Sequence, residues 1–379
     1  MRSRRKPALA VMAAAGMMMI AAACSGGQAA TSPGSGGSHS ANVAGAESFI
    51  APYVGKPSAF PTNDVLKKPP VSGTKVVYAD VGTPVSALQW QLMQPAAKAL
   101  GIDLIRVKTG SDASTVGPAF DTIVSMKPAG VVIIGIDPLL YARQLKELQQ
   151  EGTTVVASAI QDGPQYGISP VSYGASDVKL AGALMGAWTI ARSKGAATDI
   201  ALYNVPELAF SKPEILAAQA KIAEYCPACT TRIVNIPVAQ IGTGSPQLIV
   251  SDLEAHPDTT AAVLATDELS AGLPAALQAA GISLKTVGPA PSSANLQQIK
   301  SGTEDAALGV DLNEQVWALI DQFARQHSHQ PLSGPEAQGA LVMQFLTKPD
   351  ITLNPSLGWT GYPQLATRFT ELWRGQPAS

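Results

Sequence analysis

Three sets of residues in this chain have types and spacings that could do chemistry: a cysteine pair, a few acids and amides at the ends of apolar runs, and a short histidine pair. Cys226 and Cys229 enclose Pro227-Ala228, a spacing shared by redox sites and by tight disulfides in exported chains. Thioredoxin-type reactivity places its cysteine at a helix N-terminus. Here the two follow a helical pattern over 215–225 and precede a β-rich run, which favours a structural disulfide. His327-Ser328-His329 has the look of a metal pair but stands in a polar stretch after a helix, where a solvated loop fits better. The cysteine count excludes a four-cysteine zinc site, so no metal and no cofactor are expected. Nor is an enzyme: no Gly-x-Ser-x-Gly elbow occurs, and Gly242-Thr243-Gly244-Ser245 lacks the lysine of a phosphate loop.

The third cysteine, Cys24, carries an address. Arg2, Arg4, Arg5 and Lys6 precede an apolar stretch over 8–23, and Ala21-Ala22-Ala23-Cys24-Ser25 ends it as a bacterial lipoprotein signal does. The stretch is shorter than the roughly 20 residues of a membrane span. Cleavage would leave Cys24 as the lipidated first residue; an ordinary secretory signal with a chance cysteine is the plainer alternative. Both export the protein. Loss of the four leader cations takes the net charge from −2 to −6, which leaves no electrostatic footprint for nucleic acid. With 46% hydrophobic and 14% charged residues the body is a folded one, and the membrane is expected to be reached through the lipid anchor only.

The elements that must hold the strand-end residues follow from periodicity. After a Gly/Ser/Ala/Pro/Thr stretch read as a flexible tether, β-rich runs over 75–79, 103–107, 130–136, 154–159, 199–203, 231–236, 261–265, 284–287 and 305–310 alternate with helix-length segments. Glycines 101, 152, 195 and 281 stand at helix-to-strand joins. Val131-Val132-Ile133-Ile134 cannot turn a polar face to water, so it needs a parallel sheet covered by helices on both sides. The expected fold is α/β, with two doubly wound parallel-sheet lobes. Pro95 and Pro274 fall inside helical segments, where each should kink its helix or move its start. In open α/β sheets ligands sit outside the carboxyl ends of strands, which nominates Asp80, Thr83, Asp137, Gln161, Asp162, Asn204, Thr266, Asp267 and Asp311.

Lys127-Pro128-Ala129-Gly130 running into Ile136-Asp137-Pro138, then Ser176-Asp177 with Ala181-Gly182 and Gly186, His256-Pro257-Asp258, and Thr266-Asp267-Glu268 through Gly281 carry a resemblance. In order and spacing the chain, over 74–346, resembles the type I solute-binding proteins, the ribose- and galactose-binding class that shares its bilobal fold with the lac repressor core. The resemblance implies a lipid-tethered receptor on the outer face of the cell membrane that hands a small-molecule solute to an ABC permease, acting as a monomer. It also implies a three-segment hinge near Ala175, Asp311 and Ala340. The expected organisation is a signal peptide over 1–23, a tether over 24–72, a first lobe over 73–175 plus 311–340, and a second over 176–310 plus 341–379. A membrane-tethered sensor on the same fold is the alternative.

Matched position by position, the chain departs from the sugar binders of that class. The two aromatic residues that sandwich a sugar align with Val85 and Ser86, and a third stacking position aligns with Gln240. The Asp-Arg clamp aligns with Ala159 and Ile160, the Asn before the eighth-strand Asp with Thr266, the Asp after the ninth strand with Ala290, and the crossover Gln with Asp311. The resemblance therefore implies a ligand less polar than ribose, or differently shaped, with Asp137 and Asp311 as its anchoring carboxylates. Asp267 and Asp137 each keep a second reading as helix caps. Trp90 suits core packing, whereas Phe210 follows the sixth strand run and is the better aromatic candidate for the cleft. Trp359, Tyr362 and Trp373 are expected to pack the tail onto a lobe.

Overall fold

The computed structural model describes residues 41–55 and 60–376. Its first part runs α1 (Val43–Ile50), β1 (Lys75–Asp80), α2 (Pro84–Ala99), β2 (Asp103–Lys108), α3 (Ala113–Ser125), β3 (Gly130–Ile134), α4 (Ala142–Gln150), β4 (Thr154–Ser158) and β5 (Val171–Ser172). Then follow α5 (Ala175–Ser193), β6 (Asp199–Asn204), α6 (Ser211–Tyr225), β7 (Thr230–Asn235), α7 (Ser245–Ala255), β8 (Ala261–Leu264), α8 (Leu273–Ala280), β9 (Lys285–Val287) and α9 (Ser293–Ser301). The chain closes with β10 (Ala307–Val310), α10 (Leu312–His327), α11 (Gly334–Ala337), β11 (Met343–Leu346) and α12 (Leu365–Trp373).

Two parallel sheets result, wound alike. The first has the order β2-β1-β3-β4-β5 and the second β7-β6-β8-β9, so each reverses direction beside its first-formed strand. Every residue of β3 and β8 is buried, as continuous apolar runs in helix-covered strands require. β10 and β11 pair antiparallel, and a bridge from Pro289 to Leu308 joins them to the second sheet. α5 and α6 cross at close range because Gly182 and Gly186 sit one turn apart on one face: a Cβ at these positions would come 2.0 Å from the Glu214 carbonyl and 2.5 Å from that of Ala218. Pro274 sets the start of α8 at its first turn, whereas Pro95 lies inside α2. Cys226 and Cys229 form the disulfide expected of them, straight after α6.

The chain passes between the lobes at three points that bond to one another. Tyr173 N–H donates to the Gly339 carbonyl at 2.9 Å, and Asp311 N–H to that of Val342 at 3.1 Å. Gly339 has φ +69°, and a Cβ there would lie 2.1 Å from the Val171 carbonyl, so no other residue fits.

Two expectations need correction. The stretch 24–72 is not all tether. α1 packs on α5, Asn42 N–H donates to the Tyr225 carbonyl at 2.7 Å, and Lys221 Nζ lies 4.5 Å from the Phe49 ring. Farther on, Phe60 meets Tyr362 edge to face and Phe369 at a tilt, Leu66 N–H reaches the Leu372 carbonyl at 2.9 Å, and the buried Arg325 donates to the Asp64 carbonyl at 2.6 Å. Gly and Ser signal loop composition, but Phe49, Phe60 and Leu66 supply enough apolar surface to dock. Nor does all of 341–379 join the second lobe. β11 does, whereas α12 returns to α10, with Trp373 stacked on Trp317 at 5.3 Å and its indole N–H on Asp321 at 2.6 Å. β5 and β11 are too short, and β11 too far from any βα rhythm, for periodicity to reveal them.

Trp373→Ala should therefore lower stability by about 3–5 kcal/mol, the usual cost of truncating a buried aromatic. Denaturant unfolding measures this, and an unmoved midpoint would mean that the tail is an appendage.

Candidate functional site

The carboxyl ends of the two sheets face each other across a cleft. Val81 and Thr83 follow β1, Ile134 and Gly135 end β3, and Ala159 follows β4. Opposite them stand Leu208 and Phe210 after β6, Thr266 and Glu268 after β8, and Pro289 and Ala290 after β9; Tyr173, Val310, Leu312 and Gln315 close the hinge side. The space enclosed is ≈70 Å³. The lobes touch directly beside it: Ala209 N–H donates to the Gly135 carbonyl at 3.1 Å, and the Glu268 carboxylate accepts the Val85 N–H. A larger hollow of ≈280 Å³ lies at the opposite end of the second sheet, between Trp188, Arg192, Lys285 and Asp305. It is confined to one lobe and cannot couple binding to closure.

Polar groups around the cleft are mostly engaged with each other. Tyr78 O–H donates to Gln89 Oε1 at 3.0 Å, Gln89 Nε2 to Gln315 Oε1 at 2.7 Å, and Gln315 Nε2 to Ser158 Oγ at 2.8 Å. Such a closed network turns amides away from a guest. Glu268 is different. Its carboxylate takes the first N–H of α2, that of Val85, since Pro84 has none; this helix end carries partial positive charge, yet among the described residues no basic side chain lines the cleft. Burial pushes this carboxyl up to about 7, against the pull of the Val85 N–H and the Thr83 hydroxyl.

A family model for the periplasmic binding protein domain matches residues 75–330. The chain belongs to that family. Its members are periplasmic, hence extracytoplasmic, binding proteins. Among solved structures, the solute-binding protein of Burkholderia graminis in complex with D-arabinose shares 16% identity over 75% of this chain and 99% of its own, with a TM-score of 0.64. The 5-methylthioribose transporter solute-binding protein of Thermotoga lettingae shares 17% over 81% and 99%, with a TM-score of 0.66. That of Actinobacillus succinogenes with bound D-allose shares 14% over 74% and 99%, with a TM-score of 0.62. At such identities the likeness is one of fold. No curated protein matches the sequence.

Of the residues nominated from sequence in this periplasmic binding protein, Thr83, Val85, Phe210, Thr266 and Ala290 line the cleft, as do Ser86 and Ala159. The others lie elsewhere. Asp80 is buried beneath it, accepting from Ser86 Oγ at 2.6 Å and Arg106 Nε at 2.8 Å. Asp137 caps the 3₁₀ turn Pro138–Leu140 through the Leu139 N–H at 2.9 Å. Asp311 caps α10 and holds the tail, accepting from Glu314 N–H at 2.9 Å, Thr360 Oγ1 at 2.7 Å and Gly361 N–H at 2.8 Å; burial raises it to about 6. Neither anchoring carboxylate expected from sequence thus reaches the enclosed space.

Asp267 turns away toward Gly288 and Glu304, is not a cap, and its carboxyl is pushed well above the ordinary range by burial and by that second acid. Asn204 is engaged by Ser211 Oγ at 2.7 Å and Asn235 at 2.8 Å. Ile160 is core, Gln161 half-buried and Asp162 exposed. Gln240 lies on the loop whose Gly242 approaches Pro84 from the other lobe. Trp90 stacks on Tyr78 and under Arg106 rather than in the cleft. His327 stacks on Phe323, and the described residues hold no cluster fit for a metal ion. Cys24 lies outside the described residues. Glu268 was the residue missed: it stands directly after the family-like Thr266-Asp267, and a 3₁₀ turn, Asp267–Ser270, rotates it into the cleft in place of Asp267.

An unfolded glutamate titrates near 4.5, so the folded chain holds Glu268's extra proton between about 4.5 and 7, and stability falls as pH rises through that window. Glu268→Gln should melt higher than its parent at pH 8 and close to it at pH 5. Equal shifts at both pH values would show that the carboxyl is solvated.

Proposed function

We propose that this protein is a lipid-anchored receptor on the outer face of the cell membrane, which captures a compact solute by lobe closure and delivers it, as a monomer, to an ABC importer. The observation that carries this reading is the cleft itself: both lobes line it, so a guest that touches both favours the closed form. The lobes are assigned as 73–175 with 311–340, and 176–310 with 341–364, with α12 returning to the first. Cys24 would supply the acyl anchor, and no helix among the described residues is long and apolar enough to cross a membrane.

The cleft walls favour a solute less polar than ribose or galactose. A sugar needs a partner for each hydroxyl, since each unpaired buried polar group costs about 1–3 kcal/mol. Here Gln89, Gln315 and Ser86 are already bonded within the protein, and Val85 and Ala290 stand where the sugar binders carry aromatic and acidic contacts. Five-methylthioribose, bound by the Thermotoga lettingae relative, combines a sugar with an apolar substituent and marks one end of the plausible range.

Mass spectrometry of the small molecule released from the purified protein on denaturation should identify a solute, and a strain lacking the gene should fail to accumulate it; unaltered uptake would defeat the importer assignment. Pentoses and hexoses are expected to leave the melting temperature unmoved, although a ligand at 100 times its dissociation constant would add about 2.7 kcal/mol. Cys24→Ser should move the protein from the membrane fraction to the soluble one.

A further inference from the structure

Resting on the receptor reading, we propose that the cleft takes a compact organic cation, an apolar body carrying one positively charged nitrogen, and that Glu268 is the residue that selects it. Three observations converge. Among the described residues Glu268 is the one carboxylate lining the enclosed space, it is 1% exposed, and no lysine, arginine or histidine stands against it in the cleft. A buried carboxylate without a cationic partner is costly, and a ligand that brings the missing charge recovers that cost on binding.

The α2 N-terminus offsets only part of the charge, through the Val85 N–H and the hydroxyl of its cap Thr83, neither of which carries a full charge. An anionic guest at the same helix end would meet the Glu268 carboxylate already there. The remaining wall is apolar or aromatic: Ile134, Leu208, Val310 and Leu312 surround the space, and the rings of Phe210 and Tyr173 border it. Aromatic faces accept a cation without demanding hydrogen bonds. Thr266, whose hydroxyl makes no hydrogen bond within the described residues, is left to accept an N–H beside Glu268. The ≈70 Å³ enclosed limits the guest to a handful of heavy atoms unless the lobes part further.

The full mature protein should be titrated calorimetrically at pH 8, where Glu268 is ionised, with n-butylammonium chloride, 1-butanol and sodium butyrate, which share one apolar body and differ in charge. The ammonium is expected to bind about tenfold tighter than the alcohol, with butyrate weakest. Glu268→Gln, which keeps an oxygen for the Val85 N–H, should erase the preference; Glu268→Asp, which keeps the charge, should retain it. Equal binding of ammonium and alcohol, binding of none of the three, or an intact preference in Glu268→Gln would overturn the proposal. So would a neutral or anionic solute recovered from the purified protein, and that outcome would leave the receptor reading standing.

Discussion

A parallel strand that buries both faces leaves one place for polar work, the line where the strands end. Helices must cover β1, β3, β4, β6 and β8 on both sides because the middles of those strands are apolar and buried, which leaves the strands' carboxyl ends for a ligand. Two such sheets with their carboxyl ends opposed make a cleft that any guest must share between lobes. The rest of the molecule can be read as the means of holding those two edges in register.

That task falls to buried acids. Asp311 ties the second crossing to the tail, Glu314 accepts the Val342 N–H of the third crossing at 3.0 Å, and Glu214 accepts the Tyr173 hydroxyl of the first at 2.8 Å. Burial raises all three carboxyls, Glu214 and Glu314 well above the ordinary range. Each works as a hydrogen-bonding post for a crossing segment, and Asp311 serves three donors at once. Glu268 applies the same chemistry across the cleft instead of along the hinge, and there the partner is a helix end on a lobe that can move.

The family's three crossings are supplemented here. Phe60 and Leu66 from the N-terminal side and α12 from the C-terminal side meet on α10, around Arg325, Asp321 and Trp317. Arg325 is 1% exposed and bonds to both termini's neighbourhoods, through Asp64 and through Asp321, which also holds Trp373. The lobe that carries α2 is thereby stiffened at its back, and the α2 N-terminus is presented to the cleft on a firm support.

The sequence alone determined nine of the eleven strands described, the α/β class and the Cys226–Cys229 pair, because each of these depends on local periodicity, count or spacing, and its motifs carried the resemblance to the family. It also named Thr83, Phe210 and Thr266 as cleft residues, since strand ends can be read from where apolar runs stop, and Val85 and Ala290 through the resemblance to the family. Only the tertiary structure decided which acid at a strand end faces the guest. Asp137 and Asp311 are consumed as caps and Asp267 is rotated away, while Glu268 turns in, and a shift of one residue around a 3₁₀ turn leaves no trace in composition or spacing. The docking of α1 and Phe60 was equally illegible, because it depends on aromatic side chains meeting elements far along the chain, and although Tyr362 and Trp373 were expected to pack the tail onto a lobe, only the structure decided that α12 returns to α10.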